Sequence, residues 1–226
     1  MREIYLIRHG KTAGNMEKRY VGSTDEPLCE AGVCEINERR NILLRSFFPE
    51  NERDGMPQIK AAYAGDRLPE TVYVSPMLRC RQTAELLFPG VKQEVIPDFR
   101  EMYFGQFEYR NYEELAGDER YQAYIDSGGR LDFPDAEPQS QFRQRVRKAF
   151  VQCLEKKRVL MADLASGKAP ESLVFVVHGG TIMAILEAYA RPHRDYFDWQ
   201  VGAGHGYRCA LRYEADDFYL DQVTEI

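Results

Sequence analysis

The chain has 226 residues, 44% hydrophobic and 29% charged, an ordinary globular balance in a length that fits one α/β unit carrying an inserted subregion. Its formal net charge of −6 argues against general nucleic-acid binding. No apolar run approaches the roughly 18 residues of a membrane span, and the five scattered cysteines make no C-x-x-C pair, which fits reduced thiols in a cytoplasmic protein.

The first apolar run, residues 4–7, follows Arg2 and Glu3 and is cut by Arg8, so it is too short for a leader. It predicts a strand over 3–7. A helix is expected over 30–48, weakened at its start by Gly32. Residues 49–69 are rich in charge, Pro and Gly and read as a long connection with one short helix around 58–63. A strand over 71–75 then leads through Ser75-Pro76 into a helix over 77–87, with Pro76 set for a first helical turn. A strand over 93–96 follows. The tyrosine-rich, polar stretch 111–138 contains Gly128-Gly129, Pro134 and Pro138 and reads as a small helical lid, inserted over about 105–138. Its tyrosines are expected to pack the lid. Phe142, Val146, Ala149, Phe150, Cys153 and Leu154 recur at helical spacing in a long helix over 139–164. A strand over 172–177 and a helix over 180–190 come next. Gly202, Gly204 and Gly206 turn the chain into a strand over 207–213, with a further strand at 218–220. Strands alternating with helices predict one domain over 1–226, a three-layer α/β/α sandwich with a mainly parallel sheet and antiparallel edge strands near the C-terminus.

Two of these strands end the same way. Ile4–Ile7 runs into Arg8-His9-Gly10, and Leu173–Val177 runs into His178-Gly179-Gly180, which uses two of the four histidines. The carboxyl ends of buried strands are where open α/β sheets place ligands. A neutral imidazole can attack phosphorus and become phosphohistidine, and a neighbouring arginine can hold phosphate oxygens with its planar fork of donors. A lone R-H-G tripeptide is a weak signal, equally consistent with a solvent-facing strand end. No H-x-x-x-H or H-E-x-x-H spacing occurs, so neither a metal nor another cofactor is expected.

The context carries more. Thr12, Asn15, Tyr20, Gly22, Asp25, Pro27-Leu28 and Gly32 follow the R-H-G in one ordered pattern. Further on stand Ser75-Pro76-Met77-Leu78-Arg79, then Arg81-Gln82-Thr83-Ala84, then Arg100-Glu101 with Phe104-Gly105 and Phe107-Glu108, and last His178-Gly179-Gly180. In these motifs nearly the whole chain resembles the histidine phosphatase superfamily, which includes the cofactor-dependent phosphoglycerate mutases. The resemblance implies that His9 is the phosphorylated nucleophile and that Arg8, Arg79 and His178 complete its phosphate pocket. It implies that Glu101 protonates the leaving oxygen and later activates water, in preference to Glu94 or Glu108. Asn15, Gly22 and the N–H of Gly179 would bind substrate. His178, if protonated, would add donors, and the helix starting at Gly179 would favour an anion. His193 and His205 fit no motif and are assigned to structure or to the pocket rim.

The implied activity is hydrolysis of a small phosphorylated metabolite. Tyr20-x-Gly22-x-x-Asp25-x-Pro27-Leu28 and Phe104-Gly105-x-Phe107-Glu108 look most like the α-ribazole-5′-phosphate phosphatases. The alternatives are a phosphoglycerate mutase and a phosphate-binding module without catalysis. Against the mutase, the lysine-bearing run that mutases carry after the catalytic glutamate is replaced here by Met102–Glu108. Lys11 stands where many relatives have Glu or Gln, and Asp135-Ala136-Glu137-Pro138 replaces a Gly-Glu-Ser run, which leaves Lys11 and Glu137 without an assigned role. Nothing in the sequence sets the oligomeric state.

Overall fold

The computed structural model describes residues 2–47, 69–163, 172–215 and 217–226. Nearly all of the 49–69 connection, including its expected short helix, lies outside them. The described chain forms six strands, β1 (Arg2–Arg8), β2 (Thr71–Val74), β3 (Lys92–Val95), β4 (Leu173–Val177), β5 (Gly206–Glu214) and β6 (Asp217–Glu225). Its α-helices are α1 (Ala13–Met16), α2 (Glu30–Ser46), α3 (Leu78–Leu87), α4 (Glu119–Asp126), α5 (Gln139–Asp163) and α6 (Gly179–Tyr189).

The six strands form one sheet in the order β3-β2-β4-β1-β5-β6. β3, β2, β4 and β1 run parallel, whereas β5 and β6 pair antiparallel at one edge. The expected α/β class and mainly parallel sheet are therefore present. β6 is longer than the 218–220 expected, because its alternating polar residues face out from an edge strand and hide its apolar signal.

β1 and β4 are buried on both faces, as central strands of a layered sheet must be. Ile4 and Leu6 join Phe175, Phe150 and Ile182 on the α5/α6 side, and Tyr5 and Ile7 join Ile36, Leu87 and Val176 on the α2/α3 side. Gly32 sits in α2 for a packing reason. A Cβ there would lie 2.1 Å from the Lys11 carbonyl oxygen, so its absence lets the helix close on the loop after His9.

The lid region has its own small core. Phe107, Leu115 and Phe133 are buried against Tyr20, Tyr121 and Tyr124, so these tyrosines pack rather than form a platform. It is less helical than expected. Only Glu119–Asp126 is α-helical, because Gly117, Gly128 and Gly129 adopt left-handed backbone (φ +83°, +65° and +77°) on either side of it.

Candidate active site

The register of the two central strands makes the site. β1 and β4 pair in parallel with Arg8 opposite Val177, so the next residues, His9 and His178, emerge side by side at the sheet's carboxyl edge. Their rings meet edge to face at 5.1 Å between centroids. The His9 N–H closes the corner by donating to the Val177 carbonyl at 3.0 Å.

His9 is 4% exposed. Its Nδ1 lies 2.8 Å from the Gly10 carbonyl oxygen. A carbonyl only accepts, so Nδ1 carries the proton. Burial, followed by the charges of Arg79 and Arg8, pushes the imidazole pKa well below its usual 6.5. The ring is thus neutral, with its lone pair on Nε2. The loop is held from behind, where the Gly10 N–H donates to Thr83 Oγ1 at 3.0 Å and that hydroxyl donates to the Arg79 carbonyl at 2.7 Å.

His178 is fully buried, and its Nε2 lies 2.7 Å from Ser75 Oγ at the end of β2. Burial and then Arg79 and His9 press its pKa well down. The charged imidazole considered from the sequence is therefore not the form present here; the ring is neutral because water is excluded and cations surround it.

Two guanidinium groups flank the histidines. Arg79 is 0% exposed. Its Nη1 donates to the Thr24 carbonyl at 2.8 Å and its Nη2 to the Gly22 carbonyl at 2.9 Å. Arg8 Nη1 donates to the Val201 carbonyl at 2.6 Å. The Nε atoms of both arginines are buried without a hydrogen-bond partner. Buried polar groups are nearly always satisfied, and a charged donor without an acceptor is costly. Two such donors beside a neutral nucleophilic imidazole suit a bound oxyanion.

Glu101 faces this cluster. Its Oε1 accepts the Met102 N–H at 2.9 Å and its Oε2 the Gly180 N–H at 3.2 Å. Burial raises its pKa above the usual 4.5, against the opposing pull of the Met102 N–H and Arg79. Gly180 is needed for this approach, since a Cβ there would stand 2.5 Å from Glu101 Oε1. Gly179 opens α6 over Arg8, where a Cβ would lie 3.5 Å from the guanidinium Nε. The segment carrying Glu101 is anchored by buried Phe99, whose ring packs edge-on to Phe175 of β4 at 5.8 Å.

Other sequence candidates have different placements. Asn15 Oδ1 accepts the Thr12 N–H at 3.3 Å in a reciprocal cap of α1. The Gly22 N–H donates to Glu108 Oε1 at 3.0 Å. The lack of a Cβ at Gly22 matters too, since one would fall 2.0 Å from the Met102 carbonyl oxygen. Lys11 pairs with Glu35 of α2 at 3.1 Å. Glu137 binds Arg145 Nε and Nη2 at 2.6 and 2.7 Å. Arg145 also donates to the carbonyls of Asp98, Arg100 and Glu101 at 2.7, 2.9 and 3.2 Å, so this pair braces the Glu101 segment. Asp25 accepts the Leu78 N–H at 2.7 Å, at the start of the helix bearing Arg79. Ser75, Thr83 and Arg145 have no individual role assigned by the sequence. The first two stood inside a quoted motif, whereas nothing in the sequence marks Arg145. Among the described residues, no group of three or more His, Cys, Asp or Glu side chains gathers as a metal site would require.

The family model of the histidine phosphatase superfamily (branch 1) matches residues 4–44 and 52–225. The adenosylcobalamin/alpha-ribazole phosphatase of Salmonella typhimurium is 27% identical over 187 residues, which cover 81% of this chain and 77% of that protein. A Cronobacter sakazakii protein named "probable phosphoglycerate mutase GpmB" is 30% identical over 186 residues, 79% of this chain and 70% of that protein. The crystal structure of the alpha-ribazole phosphatase from Shigella flexneri matches with a TM-score of 0.68 at 20% identity, over 96% of this chain and 94% of that one, a likeness of fold.

Proposed function

The chain belongs to the histidine phosphatase superfamily, and from that premise we propose that it hydrolyses the phosphomonoester of a small metabolite through a phosphohistidine on His9. The observation that carries this reading is the neutral, Nδ1-protonated His9 beside two buried guanidinium Nε donors without protein acceptors.

In the first step the Nε2 lone pair of His9 forms the P–N bond as the ester P–O bond breaks. The departing electron pair goes to the ester oxygen, which takes the proton of Glu101. Arg8 and Arg79 hold the equatorial oxygens while their charge is redistributed. In the second step the ionised Glu101 takes a proton from water, and that oxygen attacks phosphorus. The P–N pair returns to Nε2, inorganic phosphate departs, and Glu101 is again protonated. A depressed histidine pKa keeps the nucleophile ready, and a raised carboxyl pKa supplies the acid. Gly179 and Asn15 serve as further phosphate contacts at the mouth of the two loops.

For the substrate we favour α-ribazole-5′-phosphate, on the strength of the motif similarity and the Salmonella typhimurium relative. The 105–138 segment, packed beside the Glu101 segment, acts as the lid of a single domain. Five free thiols accord with a reducing, cytoplasmic setting, and no helix among the described residues is long and apolar enough to cross a membrane. A mutase is the second reading, favoured by the name of the Cronobacter sakazakii relative.

The test is phosphate release from a panel holding α-ribazole-5′-phosphate and 3-phosphoglycerate, with His9→Ala as control and trapping of acid-labile phosphoenzyme. Release from one ester, with label on His9, is expected. Interconversion of 3- and 2-phosphoglycerate without release would make the protein a mutase, and no labelling with any donor would reduce it to a binding module.

A further inference from the structure

Glu108 follows a 3₁₀ turn over Gly105–Phe107 and points back across two loops. Its Oε1 accepts three bonds, from the Gly22 N–H at 3.0 Å, the Thr24 N–H at 2.9 Å and the Thr24 hydroxyl at 2.8 Å. Its Oε2 accepts the Phe104 N–H at 3.1 Å. Each carboxylate oxygen has about two acceptor sites, so the three donors saturate Oε1, while Oε2 is turned into the loops against the Phe104 N–H, where a Cβ at Gly22 would stand 2.7 Å from it.

The donors define what it holds. Gly22 and Thr24 give their N–H groups to Glu108 and their carbonyls to the two terminal nitrogens of Arg79. The orientation of the Arg79 guanidinium, and so of its partnerless Nε–H, depends on where those two carbonyls stand. Phe104, held by the other oxygen, lies three residues beyond Glu101. The same loop rests directly on this segment, since a Cβ at Gly22 would lie 2.0 Å from the Met102 carbonyl oxygen.

We infer that Glu108 is a positioning residue, a single carboxylate that fixes the Arg79 clamp and the Glu101 acid relative to each other without touching substrate. The inference rests on the phosphohistidine reading of the pocket.

Glu108→Gln tests it with little change of volume. An amide oxygen can keep one side of the arrangement, but its NH₂ then faces N–H donors on the other, so the link between the two loops breaks. Inorganic phosphate is the probe, titrated calorimetrically into wild type, Glu108→Gln, Arg79→Ala and the double variant, with kcat/KM measured alongside. Phosphate affinity is expected to fall about tenfold in Glu108→Gln, the scale of one unsatisfied buried group. In the Arg79→Ala background the same substitution is expected to change phosphate affinity less than about twofold, because coupled residues lose additivity. An equal penalty in both backgrounds would overturn the inference and leave Glu108 a general structural residue. So would unchanged affinity and turnover in Glu108→Gln while Arg79→Ala is impaired, a result that leaves the pocket reading intact. Phosphate affinity unchanged by Arg79→Ala would overturn the pocket reading and this inference with it. Should Glu108→Gln fail to fold, Thr24→Val removes one donor to the same oxygen and is expected to act in the same direction, again only when Arg79 is present.

Discussion

The two buried imidazoles make the fold acid-sensitive to an extent that can be calculated. Burial, together with Arg79 and Arg8, holds His9 and His178 well below the usual 6.5. In the unfolded chain both rings titrate near 6.5. As pH falls through 6.5 the unfolded state takes up protons that the folded state does not, and stability falls with it. For a ring that stays neutral when folded, the loss between pH 7.5 and 5.5 is about 1.4 kcal/mol, or about 2.7 kcal/mol for two. Glu101 works in the opposite direction. Its pKa is raised, so between 4.5 and the raised value the folded state holds the extra proton and stability rises as pH falls. That contribution is common to variants that keep Glu101 and cancels in their differences. The assay is urea unfolding at pH 7.5, 6.5 and 5.5, in buffer free of phosphate, for wild type, His9→Asn, His178→Asn and the double variant. Each single substitution carries a pH-independent offset, and removes about 1.4 kcal/mol of the wild type's loss. The double variant removes nearly all of it. Parallel stability curves for wild type and double variant would refute the argument that both rings are buried neutral.

Glu101→Gln is expected to cost about 10²–10⁴ in kcat/KM, which reports the P–O cleavage step, on an alkyl phosphate, whose leaving oxygen needs a proton, and far less on 4-nitrophenyl phosphate; equal kcat/KM losses on both esters would exclude an acid role. Arg79→Lys should lower kcat/KM by about 10²–10³, because one ammonium cannot hold the Gly22 and Thr24 carbonyls and still aim a donor at phosphate; wild-type kinetics in this variant would contradict it. Arg145→Met leaves Glu137 unpaired and frees three carbonyls around Glu101, so thermal unfolding should show a loss of about 2–3 kcal/mol and kcat should fall more than KM changes. In Gly32→Ala the new methyl would stand 2.1 Å from the Lys11 carbonyl oxygen, a backbone clash worth about 1–3 kcal/mol by chemical denaturation, and an unchanged midpoint would show that α2 can shift freely.

The order of elements was legible because each signal was local. Short β-branched runs gave β1 and β4, and the histidine after each run marked the end of a buried strand. Parallel register then brought His9 and His178 together, with Arg8 opposite Val177. Arg79 was legible too, because it stands inside an ordered motif, although the hydroxyl of Thr83 that braces its backbone carbonyl was not. Glu108, Glu137 and Arg145 were not. Glu108 and Arg145 bind mainly backbone N–H and C=O groups of other loops, which every residue carries, so no side-chain pattern points to them, and Glu137 is tied to the rest only through Arg145. For Gly22 the sequence supplied only a motif position; the structure shows that its missing Cβ lets the loop close on the Met102 backbone and that its amide is held by Glu108.

The kind and number of donors separate the carboxylates by task. Glu108 accepts four hydrogen bonds, and Glu137 takes both oxygens to one guanidinium; both are anchors. Glu101 accepts one backbone N–H on each oxygen, which leaves each oxygen capacity for a proton, and burial raises its pKa. The cations divide in the same way. Arg145 spends its donors on Glu137 and three carbonyls, while Arg8 and Arg79 each keep a buried Nε without a partner. In the proposed pocket the incompletely satisfied groups are the ones placed to meet substrate and the saturated ones hold them; Arg143 Nε and Trp199 Nε1 are also buried without a hydrogen-bond partner, so an unpaired donor marks the site only together with the two histidines. On this view, saturating Glu101 with a further donor would abolish its acid function without moving it, whereas removing a donor from Glu108 would move the site without changing its chemistry.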